Sequence, residues 1–156
     1  MDIWRILTNP VLLIPAFSWM TAQVLKAIIN AIVNKRFSFD RLIGDGGMPS
    51  GHSATVTSLA VMCGFTAGFD SVSFAIAAIL AIIVMHDATG VRLETGKQAA
   101  FLISIASVIN DYITEHDEKI KTDKLKVLVG HTPLQVLCGA LLGAAIAIAY
   151  YFINIG

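Results

Sequence analysis

At 156 residues the chain is long enough for one domain, 1–156, and 56% of it is hydrophobic against 14% charged, where a soluble domain carries about a quarter charged residues. The formal net charge is zero, which excludes bulk electrostatic attraction to nucleic acid. The mean hydropathy of +0.73 directs attention to runs long enough to cross a bilayer. Two cysteines, Cys63 and Cys138, lie inside apolar runs; they form neither a disulfide framework nor a metal motif and read as small buried hydrophobes.

Residues 1–8 hold one Arg and one Asp, and the apolar run behind them is too long for a signal-peptide core. It is expected to stay as a transmembrane helix. That first span covers 9–33, enough for a bilayer core that takes about 20 residues. Pro10 and Pro15 fall near its start, where proline is best tolerated. Gln23, Lys26 and Asn30 interrupt it at spacings of three and four and so share a helical face. A lysine there is costly in lipid and either snorkels to the interface or faces the protein interior as a functional group.

Residues 34–49 form a polar, glycine-rich loop with Lys35, Arg36 and Arg41, and end in Gly46-Gly47-Met48-Pro49-Ser50-Gly51-His52-Ser53. Two glycines and a proline control the backbone just where the second apolar segment, 50–69, begins. A helix start offers unbonded N–H groups and a positive dipole end, and so favours an anion of the phosphate type. Gly68-Phe69-Asp70-Ser71 reads as a tight turn. The third span, 72–91, then runs into His86, Asp87 and Arg92. Residues 98–109 predict a short interfacial or packed helix, too short to cross. Residues 110–126 are highly charged with both signs mixed, and His116 within them carries no assigned role. Gly130-His131-Thr132-Pro133 opens the fourth span, 134–153, whose Gly139, Ala140, Gly143 and Ala144 permit close helix approach, within the chain or in a homodimer.

Four spans put both glycine–histidine helix starts, Asp87 and Arg92 on one side of the membrane. Nine cations, among them Lys35, Arg36, Arg92, Lys97, Lys119 and Lys121, accompany them, against Arg5 alone on the other side. The positive-inside rule makes the histidine side cytoplasmic in a cell-membrane protein. Two histidines, several cations and helix N-termini suit phosphoryl chemistry: one imidazole attacks phosphorus and the other protonates the leaving oxygen, with no metal or cofactor required. A Ser50 nucleophile with His52 as base is a second arrangement, disfavoured by their two-residue separation. The chain has no HExxH and no clustered cysteines for a metal site.

Pro49-Ser50-Gly51-His52 is similar to the PSGH motif of the PAP2 superfamily of lipid phosphatases and vanadium haloperoxidases. Together with Asp87-Ala88-Thr89-Gly90-Val91-Arg92 and Gly130-His131-Thr132-Pro133-Leu134, it resembles the divergent PAP2 family of small membrane proteins, over nearly the whole chain. The resemblance implies an all-α integral-membrane bundle of about four transmembrane helices plus a short interfacial helix, with a PAP2-like core. It implies hydrolysis of a lipid phosphate monoester, such as a prenyl phosphate or phosphatidylglycerophosphate, through a phosphohistidine.

In that scheme His131 is the nucleophile and His52 the acid. Ser50 and Gly51 bind phosphate oxygens, as do the cations Lys26 (or Lys35), Arg36 and Arg92. The chain departs from the superfamily pattern in three places. No proline follows Arg36, Arg92 stands 39 positions before His131, and Gln135 occupies the place of the carboxylate that orients the nucleophile. Glutamine accepts a hydrogen bond but carries no charge; Asp87 is the candidate to supply one. The alternative is a non-catalytic binder or transporter of phosphorylated lipid that retains the anion site.

Overall fold

The computed structural model describes residues 3–35, 47–112, 121 and 130–154. Six helices follow in order among the described residues: α1 (Ile3–Leu7), α2 (Pro10–Asn34), α3 (Gly51–Ala67), α4 (Val72–Thr89), α5 (Val91–Tyr112) and α6 (Pro133–Asn154). No strand occurs among the described residues, so the all-α expectation holds. Arg36, Arg41 and His116, and most of the charged stretch before Gly130, lie outside the described residues.

The helix ends follow local rules. Asn9 caps α2 by accepting the Val11 N–H at 2.9 Å, with Pro10 in the first turn. Ser50 and Ser71 cap α3 and α4 in the same way, accepting from Ser53 and Phe74. Gly68 closes α3 at φ +99, a left-handed conformation that glycine adopts without a Cβ penalty.

The organising element is α3. It packs against α2, α4 and α6, and no residue from 51 to 65 is exposed. The outer helices present their large side chains outward instead, among them Phe17, Ile79, Ile83, Leu141 and Phe152, as lipid-facing surfaces do. The buried apolar residues are mostly alanines, with Ala22, Ala54 and Ala147 wholly inaccessible. Helices sharing a lipid solvent gain little from hiding large side chains and associate through close backbone approach. The tightest approach is α6 on α3: a Cβ at Gly139 would collide with the Ser50 carbonyl oxygen, and one at Gly143 with that of Ala54. Between α2 and α3, the buried hydroxyls of Ser18 and Ser58 meet at 3.1 Å, a polar clip.

Among the described residues, three stretches are long and apolar enough to cross a membrane: Pro10–Val33, Val72–Asn110 and Pro133–Asn154. The second comprises α4 and most of α5. The second apolar segment of the sequence, 50–69, is α3, a 17-residue helix of about 25 Å that reaches across the bundle interior with no exposed residue from 51 to 65. The expected twelve-residue helix at 98–109 is corrected to the 22 residues of α5. Its first two turns are polar, which hid them from a hydropathy reading. They are helical because Gly90 ends α4 and Lys97 pairs with Glu94 at 2.6 Å one turn away.

Candidate functional site

Three helix ends meet where the sequence placed its motifs. The Ser50 N–H donates to the Gln135 carbonyl at 3.0 Å, and the His131 N–H to the Ala88 carbonyl at 3.0 Å. The start of α3, the end of α4 and the start of α6 are thus tied by backbone hydrogen bonds. A Cβ at Gly130 would collide with the Leu93 backbone, so the segment entering α6 is pressed onto the start of α5.

At the α3 start, Ser50 is fully buried. Its Oγ accepts the Ser53 N–H at 3.3 Å and the Ser53 hydroxyl at 3.0 Å, which leaves its own proton to donate. The Gly51 and His52 N–H groups, first in the helix, have no intrahelical acceptor. Alongside them runs one face of α2. Trp19 and Gln23 lie against Gly51, and the stem of Lys26 passes beneath Gly47, which adopts φ +88. A Cβ at Gly51 would sit 3.1 Å from the Trp19 ring, and one at Gly47 3.2 Å from Lys26 Cγ. Lys26 is 5% exposed and faces the protein interior rather than snorkelling.

The two histidines are neighbours, with ring centroids 6.5 Å apart and planes inclined at 60°. His131 is buried. Thr132 and Gln135 build a capping box at the start of α6: the Thr132 N–H donates to Gln135 Oε1 at 3.1 Å, and the Gln135 N–H to Thr132 Oγ1 at 3.4 Å. An N–H can only meet the amide oxygen, so the box fixes which way the carboxamide points. The same Oε1 lies 3.2 Å from His131 Nδ1. An acceptor there requires Nδ1 to carry a proton, which in the neutral ring leaves the lone pair on Nε2. Gln135 therefore stands against the imidazole where the sequence put it.

Asp87 and Arg92 pair with each other, and the Arg92 backbone abuts Gly130, the residue before His131. The guanidinium Nε lies 2.6 Å from Asp87 Oδ2, and both side chains are partly exposed. Among the described residues no group of His, Cys, Asp and Glu could hold a metal ion. The residues missed by sequence reasoning are Trp19, which extends the Gln23–Lys26–Asn30 face by one turn, and Thr132. The spacing Thr132-x-x-Gln135 is a capping-box signal that was there to be read.

The model of the divergent PAP2 family matches residues 7–146, which takes in all three motif blocks. The "uncharacterized membrane protein YuiD" of Bacillus subtilis (strain 168) is 39% identical over 156 residues, 95% of this chain and 99% of that protein. No solved structure matches the chain. With its membrane-length helices and its motif blocks converging at one end of the bundle, the chain belongs to the divergent PAP2 family.

Proposed function

We propose that the protein is an integral-membrane phosphatase that hydrolyses a lipid phosphate monoester through a phosphohistidine on His131. The observation that carries this reading is the pair of histidines 6.5 Å apart at two helix starts, one of them held by Gln135 with its lone pair on Nε2. In the first half-reaction Nε2 attacks phosphorus. The ester P–O bond breaks, and the leaving oxygen takes a proton from His52. In the second, His52 takes a proton from water, whose oxygen attacks the phosphohistidine, and the P–N bond breaks to release inorganic phosphate. The Ser50 hydroxyl, the N–H groups of Gly51 and His52, and the cations Lys26, Arg36 and Arg92 hold the phosphate oxygens. Asp87 acts through Arg92, holding the guanidinium in place. No step requires a metal ion.

The cation count favours a cytoplasmic position for this end of the bundle, and substrates would then come from the inner leaflet. A tag-accessibility map that places Lys121 outside the cell refutes the orientation. The small-residue face of α6 is spent against α3 at Gly139 and Gly143, so a homodimer would use another surface.

The functional test is phosphate release from a panel of lipid monophosphates by purified protein, beside His131→Ala and His52→Ala. Release by the wild type that both substitutions abolish is expected. One observation favours a second reading: Gln135 cannot stabilise an imidazolium as a carboxylate would, which suits a protein that binds or moves phosphorylated lipid without turnover. Lipid binding with no release from any substrate supports that reading instead.

A further inference from the structure

Among the described residues, two buried side-chain polar atoms have no hydrogen-bond partner: Gln23 Oε1 and Thr57 Oγ1. Thr57 stands about 9 Å along α3 from Gly51, away from the motif blocks. Gln23 stands at the site. It is 8% exposed, and a Cβ at Gly51 would lie 3.9 Å from its carboxamide carbon. The polar end of the side chain therefore reaches the start of α3, beside the unbonded N–H groups of Gly51 and His52, yet its oxygen bonds neither. The chemistry proposed above gives Gln23 no task.

An orphan amide oxygen in the interior is costly, and on a membrane-spanning helix bulk water is not at hand to relieve it. What this oxygen lacks is a hydrogen. The groups assigned to the phosphate oxygens, namely the Ser50 hydroxyl, the N–H groups and the cations, all donate. They suit bare oxygens. An acceptor among them suits an oxygen that carries a hydrogen, and the proposed reaction makes one. Water attacking the phosphohistidine gives one proton to His52 and keeps the other, which ends as the P–OH of inorganic phosphate. The dianionic ester has no such hydrogen, and neither has sulfate at neutral pH.

We infer that Gln23 Oε1 accepts this hydrogen, holding the attacking water and then the P–OH of the product, so that the site takes inorganic phosphate in preference to sulfate. The role toward water rests on the phosphatase reading. The preference between the two anions rests on the anion site alone, and is tested without turnover.

Gln23→Met keeps the length of the side chain and removes the oxygen. In the first arm, inorganic phosphate and sulfate are titrated calorimetrically into the purified full chain in detergent at neutral pH. Phosphate affinity is expected to fall about tenfold, as for one lost hydrogen bond, with sulfate affinity within about twofold of wild type. The ligand-free variant is expected to melt no lower than wild type, because the atom removed had no partner. A lower Tm, equal losses for both anions, no loss for either, or a wild type that binds neither anion overturns the inference. In the second arm, a radiolabelled lipid monophosphate that the wild type turns over is supplied as the dianion. Gln23→Met is expected to form phosphohistidine at the wild-type rate and to accumulate it at least fivefold. Hydrolysis at the wild-type rate overturns the role toward water and leaves the phosphatase reading standing. If the wild type releases phosphate from no lipid, the phosphatase reading fails, and the titrations still decide the contact.

Discussion

Gly139→Ala tests the α3–α6 contact on which the site is built. A Cβ there would run into the Ser50 carbonyl oxygen, with the Ser53 side chain 3.0 Å away. The obstacle is backbone, so no rotamer change relieves it and α6 must retreat. Overpacking of this kind costs about 1–3 kcal/mol. Retreat also stretches the Ser50 N–H bond to the Gln135 carbonyl, one turn away on α6, at a further cost of about 0.5–1.5 kcal/mol. Alanine returns about 1 kcal/mol of helix propensity. The net is a destabilisation of roughly 2 kcal/mol, or about 4–8 °C in Tm for a chain of this length. Thermal unfolding in detergent micelles measures it. Ala145→Leu, on the exposed side of the same helix, serves as the comparison and is expected to stay within about 0.5 kcal/mol of wild type. An unchanged or raised Tm in Gly139→Ala refutes the reasoning, because helix propensity would then outweigh the contact and α6 could not be pressed onto the cap of α3.

Other substitutions separate the roles at the site. His52→Ala should lower phosphate release by about 10²–10⁴-fold, the usual worth of a general acid, and an added small acid such as imidazolium should restore part of it; unchanged release removes His52 from the mechanism. Gln135→Ala should slow turnover by about tenfold through loss of one hydrogen bond of ~1.4 kcal/mol to the imidazole, while Gln135→Glu should retain or exceed wild-type turnover. A Glu variant slower than the Ala variant would show that the carboxamide does not orient His131. Asp87→Asn should raise KM more than it lowers kcat, because it loosens Arg92, and should leave Tm nearly unchanged, since a partly exposed pair is worth about 0.2–1 kcal/mol. A fall in kcat alone would transfer Asp87 to the nucleophile.

The sequence carried the convergence of the motifs because each is an N-terminal or C-terminal helix signal, and four alternating spans force those ends to one side. Ser50 as a cap and Gly139 and Gly143 as contact residues were legible for the same reason: their chemistry is local or tied to a small side chain. The length of α5 was not. Its first turns hold Arg92, Glu94, Lys97 and Gln98, and hydropathy reads such residues as loop although an i,i+3 ion pair and a preceding glycine make them helix. The pairing of Asp87 was not legible either. The sequence offered Asp87 as the candidate to supply the charge that Gln135 lacks, but the arginine five residues on reaches it at 2.6 Å. Gln135 was legible as a substitute for a carboxylate but not as part of a capping box, because that second role depends on reading Thr132 as the cap.

A helix with no lipid-facing residue along most of its length poses a problem of assembly. Besides Ser53 and Ser58, α3 carries Thr55 and Thr57, whose hydroxyls would meet hydrocarbon if the segment entered the bilayer alone. Its shield is completed only by α6, the last of the described helices. During synthesis α3 must therefore wait, flanked by α2 and α4 with one face open, until the C-terminal helix arrives and closes against Ser50 and Ala54. The proposed anion site and the folded bundle are thus completed by the same docking event, so a chain truncated before α6 would lack that site and expose the polar helix to quality-control proteases.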